Sequence, residues 1–492
     1  MSEQDQPVVV IGAGPVGLSA AAHLAARGLR PLVLEAGAAV GAAMSEWGHI
    51  RTFTPWKYIV DPTAATLLER SGWRAPGGDL PPTGAEIVEG YLRPLAAALG
   101  PDVVRTGARV VAVTRQGMDK SRTLGREDRP FLVRVASGAG VEDVLARAVV
   151  DASGTWGRPN PLGASGLPAH GEDAVRDRLV GPLPDVLGDD RARFAGRRTL
   201  VVGLGHSAAN TLLALARLAD EEPGTEIVWA IRADGPDRLF GGGDADALAA
   251  RGRLGTDLRS LVASGRIELV TGFAIESLES DGTTVAVTGT TDAGRHTLHG
   301  IHNIAAATGF RPDLSILSEL RLDLDAGLEA PAQLAPLIDP QFHSCGTVPP
   351  HGHRDLAQPE PGFYIVGMKS YGRAPTFLIT TGNEQVRSIA AALAGDYAAA
   401  DAVELVLPET GVCSTDLGAG DAGEAACCGT PALETIAALD PVDPHHRPLP
   451  VGVAPQGFRT GLAGDAAGGA GEAAGGERGE LDLVPTGGSC CS

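Results

Sequence analysis

Two glycine-rich loops are the segments of this 492-residue chain whose residue types and spacing indicate chemistry. The first spans residues 12–17 (GAGPVG) and follows the β-branched run Val8–Ile11. The second spans residues 203–208 (GLGHSA) and follows the apolar run Thr199–Val202. A loop of this kind between a buried strand and a helix presents backbone N–H groups to a dinucleotide pyrophosphate. Two such loops in this order predict hydride flow from a nicotinamide to a flavin.

The first loop has the complete GxGxxG spacing. Gly12 would make the tight turn, Gly14 would let the backbone approach the pyrophosphate, and Gly17 would let the helix pack on the strand. The next predicted strand ends at Glu35, whose carboxylate can accept hydrogen bonds from ribose hydroxyls and would repel a 2′-phosphate. FAD or NAD is therefore expected here, and not NADP. The predicted cofactor-binding residues of this half are Gly12, Gly14, Pro15, Gly17 and Glu35.

The second loop carries Ala208 in place of the third glycine, which the fingerprint tolerates. The strand that follows it, residues 226–231, ends in Arg232 instead of an acid. A guanidinium at this position can hold a 2′-phosphate through charge-assisted hydrogen bonds, and we therefore expect NADPH. Arg197, Arg198 and Arg238 are weaker candidates for the same task, and the alternative for each is an ordinary surface arginine. The predicted residues of this half are Gly203, Gly205, His206, Ser207, Ala208 and Arg232.

Two later segments lack bulk and could pass close to a flavin. Residues 304–312 form a small-residue run into the turn Thr308-Gly309, and residues 362–367 form a run that ends at Gly367. A helix over about residues 381–394 follows, with apolar spacing, and its N-terminus could face the flavin. Position alone leaves open an ordinary strand and helix without cofactor contact.

These segments predict an α/β fold with two Rossmann-like, doubly wound, three-layer domains. The FAD domain is expected to be discontinuous, over residues 1–158 and 301–400, with an NADPH domain inserted at residues 159–300. Residues 401–492 are expected to be a largely disordered, cysteine-containing tail, because Gly, Ala and Glu dominate part of it. Substrate and both cofactors should meet in the cleft between the domains.

Together with the segment Ala307-Thr308-Gly309, the two loops resemble the flavin-containing monooxygenase superfamily. Residues 47–56 (WGHIRTFTPW) and 368–377 (MKSYGRAPTF) resemble its CzcO-like and ArsO-like flavoproteins, which are linked to metal or arsenic resistance. The resemblance covers roughly residues 7–395. It implies that FAD, reduced by NADPH, reacts with O₂ to a flavin peroxide that oxygenates a small soft nucleophile. It also implies cofactor contacts at Trp47, Arg51, Thr54, Val110, Thr308, Gly309 and Gly367.

One departure from the superfamily keeps other reactions open. The segment FxGxxxHxxx(Y/F/W) is expected before the second loop, but residues 167–172 (LPAHGE) occupy that stretch, and Phe194-Ala195-Gly196 lacks the following histidine. Oxidase or reductase behaviour therefore stays open beside monooxygenation. The catalytic residues are unknown, because His170 is the one candidate base and a loop histidine is usually solvated.

The six cysteines lie far from both loops, at Cys345, Cys413, Cys427, Cys428, Cys490 and Cys491. As thiolates, the adjacent pairs could bind a soft metal or metalloid, or they could be incidental thiols. The predicted metal ligands are Cys427, Cys428, Cys490 and Cys491. No CxxC or CxxxxC spacing occurs, which disfavours the second hypothesis, an NADPH-dependent reductase of a metal(loid) or disulfide. A third hypothesis is a metal(loid)-binding delivery protein.

Charge and hydropathy limit the partners. The 60 acidic and 40 basic residues give a net charge of −20, which repels nucleic acid and anionic membrane surfaces. No apolar run approaches the ~20 residues needed to span a bilayer. The first strand begins within about seven residues, so no signal peptide is expected and the cytoplasm is the expected compartment. The expected partners are a small-molecule substrate and O₂, with a soft metal(loid) ion and a homodimer as further candidates.

Overall fold

The computed structural model describes residues 6–240, 249–343, 348–375 and 377–405. Its strands, in chain order, are β1 (Val8–Ile11), β2 (Pro31–Leu34), β3 (Val104–Arg105), β4 (Arg109–Arg115), β5 (Phe131–Ser137), β6 (Gly140–Ala146), β7 (Ala148–Asp151), β8 (Leu179–Val180), β9 (Arg198–Val202), β10 (Glu226–Ala230), β11 (Glu268–Val270), β12 (Ala274–Ser280), β13 (Val285–Thr291), β14 (Gly294–Ile301), β15 (Asn303–Ala306) and β16 (Phe363–Ile365). The predicted metal ligands in the tail and Cys345 lie outside the described residues, as does the tail from residue 406 onward.

Helices connect and cover these strands. In chain order they are α1 (Pro15–Ala26), α2 (Ala42–Ser45), α3 (Pro62–Glu69), α4 (Gly84–Ile87), α5 (Arg93–Leu99), α6 (Arg191–Phe194), α7 (His206–Glu221), α8 (Asp237–Phe240), α9 (Ala249–Ala263), α10 (Ala335–Ile338), α11 (Ile379–Leu393) and α12 (Tyr397–Asp401). A π-helical turn, Val88–Leu92, joins α4 to α5. Short 3₁₀ turns lie at Trp56–Tyr58, Asp173–Arg178, Ser315–Leu317 and Gly367–Tyr371.

The first domain is built on a parallel sheet with the strand order β16-β7-β1-β2-β3. The central strand β1 is apolar on both faces because both faces are covered. Val8 and Val10 pack with helix α1 in one cluster. Val9 and Ile11 pack in a second cluster with the antiparallel sheet β4-β5-β6. The domain therefore has three layers, helices, parallel sheet and antiparallel sheet.

The second domain repeats this construction. Its parallel sheet has the order β11-β10-β9-β15-β8. Val201 and Trp229 face a cluster that contains helix α7, whereas Leu200 and Val228 face a cluster with the antiparallel sheet β12-β13-β14. Both sheets thus present the carboxyl ends of their strands, and the glycine-rich loops, at one edge.

The predicted fold class, two Rossmann-like domains in an α/β chain, is confirmed. The structure differs from the predicted boundary at residue 300, because β15 lies beside β9 in the second sheet, with Ala306 opposite Val202. The chain leaves the second domain after Ala306. Within the described ranges, no helix combines the length and the apolar character that crossing a membrane requires.

Candidate functional site

A cavity of about 510 Å³ lies at the carboxyl ends of β1, β2 and β7. Its volume is in the range of small-molecule and cofactor sites. The structure brings together here seven of the residues that the sequence assigned to cofactor binding: Gly12, Gly14, Pro15, Glu35, Trp47, Val110 and Gly367. Residues from distant parts of the sequence therefore share one cleft in the first domain.

The three glycines of the first loop have different physical reasons to be glycine. Gly12 has a φ of +99°, and a Cβ on it would lie 2.8 Å from the carbonyl oxygen of Ala152. A Cβ on Gly17 would lie 2.0 Å from the carbonyl oxygen of Gly12. Gly14 has no heavy atom within 4 Å of its Cβ position. The fold requires the first and third glycines, whereas the second leaves open space where a phosphate could approach.

The Glu35 carboxylate organises the same loop. It accepts hydrogen bonds from the backbone N–H groups of Ala13 and Gly37, each at 2.7 Å and each on a different oxygen. An ionised carboxylate has about four acceptor positions, so two stay available for ribose hydroxyls. Pro15 is the first residue of α1, where its missing N–H costs no helical hydrogen bond. The loop and the first turn of α1 together fit a dinucleotide pyrophosphate and ribose.

Three residues at this cavity are not among those predicted from the sequence: Lys369 and Trp156, which line it, and Asp151, which supports Lys369. The buried Lys369 lies on its wall and donates a hydrogen bond of 2.7 Å to Asp151, at the carboxyl end of β7. Trp156 lies on the wall as well, and its indole N–H donates to Glu46 at 2.7 Å. A signal for Asp151 was present, because it ends a buried apolar strand just as Glu35 does. Only the tertiary structure brings Lys369 to it.

Two predicted residues, Arg51 and Thr54, are not among the residues that line the cavity. The Arg51 guanidinium is exposed and donates to the carbonyl of Pro81 and to Glu86. The carbonyl of Thr54 accepts a hydrogen bond from the Thr52 hydroxyl. Both residues thus form hydrogen bonds within their own part of the chain. Their predicted cofactor contacts have no support from the lining of the cavity.

The second loop repeats the glycine pattern of the first. Gly203 has a φ of +132°, and its Cβ position lies 2.1 Å from the carbonyl oxygen of Ala307. Gly205 has no heavy atom within 4 Å of its Cβ position. Ala208 is buried beneath the loop, where the first domain has Gly17. Gly205 therefore provides the same opening toward a phosphate as Gly14.

Helix α7 begins at His206, within this loop, so its free N–H groups lie at the opening. Its first residue, His206, is exposed, and its ring lies 5.1 Å from the ring of Phe53 in the first domain. Ser207 follows and is half-buried. This arrangement fits a second dinucleotide, with the phosphates at the helix N-terminus.

Arg232 lies two residues beyond the end of β10, beside the second loop. Gly203 donates its N–H to the carbonyl of Ala230 at 3.1 Å, so the ends of β9 and β10 are adjacent. The Arg232 guanidinium is exposed and donates to the carbonyl of Ala164 at 3.1 Å. The contact uses one of five N–H donors, and the remaining donors are enough for a 2′-phosphate.

Thr308 and Gly309 lie just after β15, where the chain crosses from the second domain back to the first. They are not among the cavity-lining residues. The Thr308 hydroxyl donates to the carbonyl of Asn160 at 2.5 Å, and the Asn160 N–H donates to the carbonyl of Gly309 at 2.9 Å. Arg311 then donates its N–H to the carbonyl of Arg158 at 3.0 Å. The turn therefore pairs the outgoing and returning segments that connect the two domains.

No group of three or more His, Cys, Asp or Glu side chains that could hold a metal ion occurs in the described part of the chain. His351 is buried, and its Nδ1 and Nε2 lie within hydrogen-bond distance of the Pro349 carbonyl and Gln385. Burial lowers the pKa of His351 and so favours the neutral form of its imidazole. The backbone of His170 pairs with the β12 strand, and nothing identifies its ring as a base.

Comparison with known proteins agrees with this geometry. A model of the pyridine nucleotide-disulphide oxidoreductase family matches residues 9–344. The chain belongs to this family. Similar solved structures include the bacillithiol disulfide reductase of Bacillus cereus, which is 19% identical, has a TM-score of 0.59, and covers 79% of this chain and 99% of its own.

Two further structures show the range of reactions on this fold. The ornithine N-hydroxylase of Kutzneria sp. 744, with reduced FAD, NADP⁺ and L-ornithine, is 18% identical, has a TM-score of 0.53, and covers 79% of this chain and 99% of its own. Thioredoxin reductase of T. acidophilum is 16% identical and has a TM-score of 0.50. The match covers 80% of this chain and 99% of that enzyme. The predicted oxidoreductase class, with a pyridine nucleotide as a cofactor, is confirmed by the family match. The fold is shared by monooxygenases and disulfide reductases.

Proposed function

We propose that this member of the pyridine nucleotide-disulphide oxidoreductase family is a monooxygenase that transfers oxygen to a small soft nucleophile, a sulfur, nitrogen or arsenic centre. The observation that carries the proposal is that none of the described residues lining the 510 Å³ cavity is a cysteine. The sequence contains no CxxC or CxxxxC pair either. A reductase that relays electrons through its own disulfide needs paired thiols beside the flavin. The electrons here would pass to a molecule that diffuses to the cavity.

The residues of the first domain have defined tasks in this proposal. Gly12, Gly14 and the N-terminus of α1 would hold the pyrophosphate of FAD, and Glu35 would hold its ribose. When bound, FAD would accept a hydride from NADPH and supply two electrons to O₂. The second loop, with Gly205 and the N-terminus of α7, would hold NADPH.

Trp47 and Trp156, which line the cavity, form an aromatic wall at one side of it together with Phe310, which lies against Trp156. The ring of Trp156 lies 5.0 Å from Phe310 and 6.5 Å from Trp47, measured between centroids. Glu46 fixes the Trp156 ring through the indole N–H. Such a wall would limit the access of water to the reacting centre and would favour a small substrate with an apolar surface.

Rapid mixing of the NADPH-reduced protein with oxygenated buffer tests the proposal. A monooxygenase should give a persistent absorbance band distinct from oxidised and reduced flavin, and substrate should raise O₂ consumption without equivalent H₂O₂ release. Immediate return to the oxidised spectrum, with stoichiometric H₂O₂ for every substrate tried, would contradict it. Candidate substrates are small thiols, sulfides, amines and arsenite.

The family description favours one alternative, direct reduction of an external disulfide or metal(loid) ion. Such a substrate would enter the same cavity, because the described residues that line it include no relay thiol. Anaerobic NADPH oxidation that depends on a disulfide, a mercuric salt or an arsenate would support this reaction. The same assay with O₂ alone provides the comparison.

A role in metal or arsenic resistance, with a soft metal(loid) ion bound by Cys427, Cys428, Cys490 and Cys491, is a further part of the proposal. These cysteines lie outside the described residues, and the support comes from their pairing in the sequence. Arsenite binding can be measured with the full chain and with a variant that carries serine at these four positions. Equal binding by both proteins would exclude the tail as the binding site.

Replacing Arg232 by alanine should raise the KM for NADPH by about ten- to a hundredfold, because charge-assisted hydrogen bonds to the 2′-phosphate contribute about 1.5–3 kcal/mol. The KM for NADH should stay unchanged. Arg197→Ala is the matched control, since this exposed arginine precedes β9 at the opposite end of the strand. An equal rise for NADH and NADPH would show that Arg232 does not recognise the 2′-phosphate.

A further inference from the structure

Lys369 is the least expected charge in the first domain. Its side chain is 1% exposed, and its ammonium group donates to Asp151 at 2.7 Å and to the Ser153 hydroxyl at 3.1 Å. Asp151 is fully buried. A buried ion pair seldom adds net stability, because the cost of removing both charges from water offsets their attraction. The presence of this buried ion pair is therefore better explained by a function than by stability.

The pair lies directly beside the first glycine-rich loop. Asp151 is opposite Ile11 in the parallel register of β7 and β1, one residue before Gly12. The Cβ position of Gly12 lies 3.1 Å from the Cα atom of Ser153. Lys369 and Ser153 both line the cavity. The positive charge is thus close to the loop that would hold the pyrophosphate.

The hydrogen bonds of this group show what the protein leaves for a ligand. One oxygen of Asp151 accepts from the N–H and the hydroxyl of Ser153, and the other accepts from Lys369. An ammonium group has three donors. Two are used, and the third has no acceptor within the described part of the chain. A buried donor requires an acceptor, and the cavity is where one can come from.

We propose that Lys369 is an FAD-binding residue, whose third N–H donates to an oxygen of the pyrophosphate or the adjoining ribityl chain. The inference rests on the proposed function, with the 510 Å³ cavity as the FAD site. Asp151 and Ser153 then act as positioning residues, because they fix the ammonium group at the edge of the glycine-rich loop. Neither the loop spacing nor the family assignment predicts this contact.

The test compares FAD affinity with folding in the full-length protein freed of flavin. Lys369→Met removes the charge but leaves Asp151 uncompensated, so the protein itself should lose stability. The double variant Lys369→Met/Asp151→Asn removes both charges and should regain most of that stability. The matched control is Lys57→Met. Lys57 also forms an ion pair, with Asp79, but both side chains of that pair are exposed to water. Folding is followed by urea denaturation and FAD binding by quenching of flavin fluorescence.

The double variant should bind FAD about ten- to a hundredfold more weakly than the wild type, as expected for one charge-assisted hydrogen bond. Lys57→Met should bind FAD normally. A folded double variant with wild-type FAD affinity would overturn the proposal and leave Lys369 a structural residue. If Gly14→Val weakens FAD binding in the same assay, the cofactor site stands whatever the Lys369 variants show.

A second measurement observes Lys369 directly in the wild-type protein and needs no substitution in the buried pair. The chain has only three lysines, Lys57, Lys120 and Lys369. In protein labelled with ¹⁵N at the lysine side chains, FAD should shift the ammonium signal of Lys369 and leave the other two in place. Lys57→Met and Lys120→Met assign the remaining signals by elimination. An unshifted Lys369 signal in the FAD complex would refute the contact.

Discussion

Gly14→Val is expected to weaken FAD binding by about two orders of magnitude or more while the protein still folds. Gly14 has extended backbone angles that any residue adopts, and no atom lies within 4 Å of its Cβ position. The valine side chain would fill the space where the pyrophosphate approaches. The helix cap should lose no more than about 1 kcal/mol. Fluorescence titration with FAD and urea denaturation of the flavin-free protein measure the two effects separately.

Gly17→Val is the matched control for this prediction. A Cβ at Gly17 would lie 2.0 Å from the Gly12 carbonyl oxygen, so this variant should lose about 3 kcal/mol or more of folding free energy. The pair therefore separates a glycine that a ligand requires from one that the fold requires. Normal FAD affinity in Gly14→Val would mean that the cofactor lies elsewhere in the cavity.

Glu360→Gln is expected to lower the free energy of unfolding by about 3–5 kcal/mol, because it leaves two buried arginines without a counterion. Glu360 is 2% exposed and accepts from Arg126 at 2.8 Å and from Arg115 at 3.0 Å. It also accepts the backbone N–H of Arg321. This network joins the end of β4 to the segment before β16, and so connects the antiparallel layer to the sheet that carries the first glycine-rich loop.

The same carboxylate gives a pH dependence of stability. Burial by itself would raise the pKa of Glu360, but the hydrogen bonds from Arg126 and Arg115 outweigh burial and lower the pKa below 4.5. A depressed pKa in the folded state means that the stabilisation is complete above the pKa of an unfolded glutamate and is lost as pH falls through the folded value. Wild-type stability should therefore drop below about pH 4.5, more steeply than that of Glu360→Gln.

Asp143→Asn provides the control within the same antiparallel sheet. Asp143 pairs with Arg134 across β5 and β6, but both side chains are substantially exposed. Exposed ion pairs contribute about 0–1 kcal/mol, so this variant should unfold nearly as the wild type does. A loss as large as that of Glu360→Gln would mean that burial is not the cause.

Local patterns predicted the two candidate nucleotide sites. The spacing of Gly12, Gly14 and Gly17 and the carboxylate at Glu35 follow from contacts within one strand-loop-helix unit, which neighbouring residues specify. The structure places both elements where that pattern predicts. The second loop, with Gly205 and Ala208, was recognised in the same way. Short-range geometry suffices for such sites because the ligand binds mainly backbone groups.

Other positions could not be derived from local patterns. Thr308 and Gly309 occur in a small-residue run typical of a flavin contact, but they lie in the crossover and pair with Asn160. Arg51 follows a tryptophan that lines the cavity, yet it interacts with Glu86 on the surface. Side-chain direction within a loop depends on the neighbours that the loop packs against, and these are distant in the sequence.

The sequence by itself determined the class of fold and the oxidoreductase class, and it predicted the two dinucleotide loops, because each prediction depends on patterns among residues a few positions apart. Only the tertiary structure decided which distant groups meet at the cavity. Lys369 reaches Asp151 across 218 positions, and the Glu360 carboxylate reaches Arg115 across 245. The physical reason is that a buried charge is stable only beside its partner, and that partner is chosen by the packing of sheets and not by spacing along the chain.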